Sequence, residues 1–197
     1  SAVAEPTAES YHAVLLAVEA SKKPLKDCRT LVQGAGAIGL LCSLILSKIQ
    51  GNTNITISDP NKKRLNECAK YVDAKTVSPD HQDIKESSFD LVFDTVGLEV
   101  SRQQAINVVK PGGIIIHIGL TQPAGSFNFR KATLQEVTFI GTYCYTNKEF
   151  GETIDILANR RLGNTDWIEF RSLKDGWGAF KEIHDGTCTA PKIVLIP

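Results

Sequence analysis

The chain has 197 residues, 22 acidic and 22 basic, so its formal net charge is zero. A chain of that length suits one domain of ordinary size, burying roughly 70% of its unfolded surface. The balanced charge, without a basic run, speaks against nucleic-acid and membrane-surface partners, and no apolar stretch is long enough to span a bilayer.

The first expected element is an amphipathic helix before Lys22, with Tyr11, Val14, Leu15 and Val18 on one face. Residues 29–33 form a compact apolar strand that runs into glycines at 34–39. A dense apolar helix follows over 38–49. Residues 54–58 (NITIS) predict a second strand, closed by Asp59-Pro60, and 61–71 a charged surface helix. The polar stretch 78–88 reads as a loop or short helix. Strand 90–94 (DLVFD), helix 99–109, a turn at Pro111-Gly112-Gly113, strand 114–118 and strand 137–142 complete a βαβ alternation. Such a pattern specifies an α/β fold with a doubly wound parallel sheet. Beyond 142 come a helix with Phe150, Ile154 and Leu157, a short segment 167–170, a helix with Trp177, Phe180 and Ile183, and a strand at 192–196.

The five cysteines (28, 42, 68, 144, 188) form no CxxC pair, and their odd number argues against a disulfide framework; most are expected to be small buried apolar residues. The four histidines show no ligand spacing with each other or with the cysteines, so no self-contained zinc site is expected. No N-terminal basic-then-apolar pattern suggests a signal peptide, and the cytosol is the expected compartment. The chain holds no methionine, and residues 1–6 read as mid-protein sequence, so a fragment is expected.

Gly34-Ala35-Gly36-Ala37-Ile38-Gly39 fits GxGxxG, a weak signal alone. Here a strand enters it and a helix leaves it. The first glycine permits the tight turn, the second lets backbone approach a pyrophosphate, and the third lets helix sit close on strand. Free N–H groups and the helix dipole then face the phosphates. Asp59 ends the second strand about twenty residues on, where a carboxylate accepts hydrogen bonds from the adenosine ribose. A 2′-phosphate beside it would face about 4 kcal/mol of repulsion at ~4 Å and an effective dielectric of ~20. NAD is therefore expected over NADP. Arg64, a turn further along, is a candidate to hold the ribose from the other side. An S-adenosylmethionine methyltransferase competes for the same architecture, and Lys110-Pro111-Gly112-Gly113 would suit one. Gln33 stands where those enzymes usually place an acid, and the glycine spacing favours a dinucleotide.

Ala4-Glu5-Pro6 with His12-Ala13, the stretch 32–39, Ser58-Asp59, FDTVG at 93–97, VKPGGIIIHIGL at 109–120 and Lys192-Ile193-Val194 together resemble the medium-chain dehydrogenase/reductase family, in its zinc-dependent alcohol and sorbitol (polyol) dehydrogenase branch. The resemblance implies a Rossmann fold and hydride transfer between NAD and an alcohol or polyol. It implies that Thr95, Val96 and Gly97 lie beneath the cofactor's sugars. Ile118, Leu120, Thr142 and Cys144 match backbone positions at the nicotinamide carboxamide, and Lys192 a basic residue at the pyrophosphate. Glu5 matches an acid at the catalytic zinc of sorbitol-type members; Glu9 departs from the small or apolar residue expected near the nicotinamide. The remaining zinc ligands of the family match nothing here. Residues 1–10 are thus expected to be a remnant of a mostly missing catalytic domain, 11–143 the NAD-binding domain, and 144–197 a segment returning to the catalytic domain. On this pattern the chain alone is inactive, and zinc belongs to the full-length parent. A zinc-free quinone reductase is the runner-up within the family, disfavoured by Asp59, and a non-catalytic NAD-binding module lies outside it. Strand 137–142, last in the α/β pattern and free of proline and charge, is expected at a sheet edge that pairs with a two-fold copy.

Overall fold

The computed structural model describes residues 2–197. Six strands, β1 (Thr30–Gln33), β2 (Ile55–Ser58), β3 (Lys75–Val77), β4 (Phe89–Asp94), β5 (Val109–His117) and β6 (Thr138–Gly141), form one parallel sheet in the order β3-β2-β1-β4-β5-β6. Helices α2 (Ala37–Lys48), α3 (Lys62–Cys68), α4 (Glu99–Val108) and α5 (Phe129–Leu134) make the crossovers after β1, β2, β4 and β5.

Period-two alternation between two covered faces explains why the central strands are apolar through their middles. Val32, Leu91, Phe93, Ile114 and Ile116 point into one core, which α2 and α1 (Ala4–Ala20) cover. Leu31, Val92 and Ile115 point into the opposite core with Ala105 and Ile106 of α4. A strand covered on both faces is apolar through its middle, and the buried polar residues Thr30, Gln33 and Asp94 stand at the strand ends. Order reverses between β1 and β4, and the carboxyl ends of those two strands open a crevice.

Several expectations need correction. Helix α1 buries only part of the stripe Tyr11, Val14, Leu15, Val18: Val14 is buried, Tyr11 and Leu15 are half-buried and Val18 is 40% exposed, while the small residues Ala8, Ser10, Ala13 and Ala17 are buried beside Val14. Small residues let α1 lie close against α2. Helix α3 is shorter than 61–71: Asn61 caps its start, accepting from the amides of Lys63 and Arg64, and the helix ends at Cys68 with 69–71 as turns. Pro111-Gly112-Gly113 is not a turn preceding a strand but a bulge within β5: pairing jumps from Phe89–Val109 to Leu91–Ile114. Strand β3 and helix α5 carry no apolar pattern; β3 is three residues long and α5 buries nothing.

Beyond β6, helix α6 (Asn147–Ala158) packs on α1, and Ile156, Leu162 and Trp167 join the larger core. His12 Nδ1 and Glu149 Oε1 lie 2.9 Å apart across that contact. Strands β7 (Ile168–Ser172) and β8 (Lys192–Ile196), joined through α7 (Gly176–His184), form a separate two-stranded parallel sheet. Its apolar residues are largely uncovered: Trp177 is 83% exposed and Phe180 67%. Four of the five cysteines are buried, and all five are free. Among the described residues no helix is long and apolar enough to cross a membrane.

Candidate functional site

A cleft of about 580 Å³ occupies the crevice at the ends of β1 and β4. The glycine turn forms its floor, and each glycine has a distinct duty. Gly34 turns the chain at φ +100°, which only glycine adopts readily. A side chain on Gly39 would overlap the Gly34 carbonyl, so helix and strand touch backbone to backbone. Gly36 faces open space, with nothing within 4 Å of where a Cβ would sit. It is also the N-cap of α2, and no side chain caps that helix. The first amides of α2 are therefore available to an anion.

Asp59 is buried, and both its oxygens are held. Oδ2 accepts from Ala35 N–H at 2.8 Å and Oδ1 from Asn61 N–H at 2.7 Å. The carboxylate thus ties β2 to the glycine turn while it lines the cleft. An ionised carboxylate offers about four lone-pair sites, so capacity for ligand hydroxyls remains. Arg64 lines the cleft too, but its Nε donates to Cys188 O at 3.0 Å. Asn61 Nδ2 donates to Gly186 O at 2.9 Å, so the loop before β8 is fastened to the rim.

Thr95 Oγ1 donates to Gln33 O at 2.6 Å, and Val96 lines the cleft beside it. Behind this loop Asp94 is fully buried, accepting from the amides of Val96 and Gly97, the Ser101 hydroxyl and, at 3.1 Å, His117 Nδ1. Burial pushes the Asp94 carboxyl up, but the His117 hydrogen bond, the two amides and Ser101 outweigh it and hold it below its ordinary value.

Gly34, Gly36, Ala37, Ile38, Gly39, Asp59, Arg64, Thr95 and Val96 therefore meet around one cleft. The rest of the expected set lies outside its lining. Gly97 is spent on the backbone contact behind the loop, its amide on Asp94. Ile118 is buried with its amide on Asp94 O, while Leu120 is 76% exposed. The Thr142 amide bonds His117 O; its buried hydroxyl has no partner. Cys144 is exposed at φ +57°, and Lys192 lies on β8 opposite Ile168. Glu5 is exposed in the first turn of α1. Burial, then the Glu5 charge, raises the carboxyl of Glu9. Among the described residues no three His, Cys, Asp or Glu side chains are grouped to hold a metal ion, so the residues present do not make a zinc site.

Residues missed from sequence also line the wall: Gln33, Pro60, Pro79, Leu98, Val100, Ser101, Gln104 and Thr121. Gln33 Nε2 donates to Ser101 O at 3.1 Å and to Gln104 Oε1 at 2.8 Å. A polar residue closing an otherwise apolar first strand, with polar residues three apart on the fourth helix, was the available signal.

Doubly wound sheet, switch-point cleft and glycine turn together define a Rossmann-type domain. The chain belongs to the family described as Zinc-binding dehydrogenase, which matches residues 37–159. Over 201 residues it is 30% identical to the protein named Probable D-xylulose reductase A of Neosartorya fischeri, covering 94% of this chain and 54% of that one. Acetophenone reductase of Geotrichum candidum, solved in complex with NAD, superposes with a TM-score of 0.81 at 19% identity, over 94% of this chain and 52% of that chain. A chain from Sinorhizobium meliloti solved bound to NADP superposes with a TM-score of 0.82 at 18% identity, over 100% of this chain and 58% of that chain. These two likenesses carry the fold alone. The chain spans about half the length of the relatives it matches.

Proposed function

We propose that this chain is the NAD-binding half of a cytosolic zinc-type dehydrogenase that moves a hydride between NAD and an alcohol or polyol. Asp59 carries the choice of cofactor: a buried carboxylate at the rim of a cleft whose floor is the glycine turn. The polyol substrate class rests on the name of the relative from Neosartorya fischeri. Free cysteines accord with a reducing compartment.

In this scheme the amides opening α2 take the pyrophosphate, Asp59 and Arg64 the adenosine ribose, and the loop 95–97 the sugars. Ile118, Leu120, Thr142 and Cys144, at the ends of β5 and β6, present backbone toward the nicotinamide carboxamide, and Lys192 is the basic residue for the pyrophosphate. Glu5 would be one ligand of a zinc whose other ligands lie outside this chain. Residues 1–10 and 144–197 pack with that outside part, to which the bare face of α7 belongs. No step through zinc is assigned to these residues.

Titration calorimetry with NADH and NADPH tests the cofactor assignment. NADH should bind at least tenfold tighter, and Asp59→Ala should shrink the gap to within about threefold. Equal affinity of the wild type for both cofactors would sink it.

A two-fold copy is the partner proposed at β6. That strand pairs only with β5 among the described residues, and Phe139 on it is 43% exposed. An open edge without proline or charge invites another strand. The Thr142 amide bonds His117 O on β5, so by alternation the Phe139 N–H faces the open side; Phe139→Pro removes it and should shift sedimentation from dimer to monomer. A wild type that is monomeric at micromolar concentration, or a variant that dimerises equally well, refutes the pairing.

A further inference from the structure

Two loops close one side of the cleft, residues 95–98 after β4 and 119–126 after β5; Thr95, Val96, Leu98 and Thr121 from them face it. The loops touch at Gly97 and Gly119, where a side chain on either would overlap the other's backbone. Thr121 Oγ1 donates to Val96 O at 2.6 Å, and Gln122 N–H to Gly97 O at 2.9 Å. One side chain of α4 then binds both loops at once. Arg102 Nη1 donates to Gly97 O at 2.9 Å and Gln122 O at 3.3 Å, and its Nη2 to Ala124 O at 2.8 Å. Gly125 makes room for it: a Cβ there would fall 2.7 Å from Nη2. A turn earlier on α4, Glu99 Oε1 accepts from Ser126 N–H at 3.0 Å, and Glu99 N–H donates to Gln122 Oε1 at 2.6 Å.

We propose that Arg102 is a positioning residue for the cofactor, a guanidinium that locks the two loops into one preformed wall of the cleft. The proposal rests on the cleft being a dinucleotide site. Three carbonyls converge on a planar group with five N–H donors, an arrangement lysine cannot copy with a single ammonium. Loops already ordered before binding spare the ligand the cost of ordering them. Arg102 itself is outside the cleft lining and acts through the backbone of residues 97, 122 and 124.

The test uses the 197-residue chain with Arg102→Ala and Arg102→Lys, titrated with NADH and with AMP, which spans only the Asp59 side. Arg102→Ala should weaken NADH at least fivefold and AMP less than twofold, with Arg102→Lys intermediate for NADH. Hydrogen exchange at 95–98 and 119–126 should quicken in the free alanine variant and slow again on saturation with NADH. Unchanged NADH affinity in Arg102→Ala, or equal losses for NADH and AMP, overturns the role of Arg102 and leaves the cofactor site standing. A wild-type chain that binds neither ligand overturns the cofactor reading and this proposal with it.

Discussion

Phe93 on β4 is fully buried, whereas Phe180 on α7 is 67% exposed. Both sit in strongly patterned elements, and pattern alone does not separate them. The difference lies in what each element packs against. Phe93 belongs to a sheet covered on both faces, so its alternation is satisfied inside the chain. Phe180, with Trp177 and Ile183, forms the stripe of a helix whose other neighbours are a two-stranded sheet. Apolar periodicity tells which side of an element needs covering, and it is silent on whether the cover lies in the same chain.

The contrast breaks first at Phe93. Phe93→Ala should cost about 3–5 kcal/mol, the range for a large buried aromatic, read from urea unfolding at pH 7. A loss under 1 kcal/mol would mean that this core is looser than its burial implies. Next comes Asp94, whose carboxyl is held below its ordinary value in the fold. Its contribution is therefore complete above the unfolded value near pH 4 and is lost as pH falls through the lower folded value. Asp94→Asn should cost on the order of 1–3 kcal/mol at pH 7, with a smaller penalty at pH 3. A penalty that grows on acidification contradicts the assigned network. The smallest effect belongs to α7: Phe180→Ser should move stability by about 0.5 kcal/mol or less. A loss comparable to that of Phe93 would show that the stripe is already covered.

Much of the sheet was legible because its strands are short, apolar and punctuated by glycine, proline and aspartate. Strand β3 was not, since Lys75 and Thr76 at an edge carry no burial signal. Helix α1 was placed but its buried face only in part, because alanine and serine leave little hydrophobic contrast while allowing the closest packing. At the cleft, Gly34, Gly36, Gly39 and Asp59 could be found because turn geometry and charge tie each residue type to a single duty. Arg102 could not, and Gln33 and Gln104 showed only as polar residues, the first closing an apolar strand: their partners are backbone carbonyls and one another, brought together only by the fold. Lys192 and Glu5 were matched by resemblance, and the described residues bring neither to the cleft.

The rim of the cleft has a mechanical property that follows from the hydrogen bonds of Asp59 and Asn61. Ala35 N–H is held by Asp59, Asp59 by Asn61 N–H, and the Asn61 amide by the carbonyl of Gly186. Three consecutive polar links thus lead from the glycine turn to the loop that precedes β8, through Asp59 and Asn61, which belong to neither hydrophobic core. The β7–β8 unit and the glycine-turn end of the cleft are thereby joined by a hydrogen-bonded strap through Asn61, the residue that also caps α3.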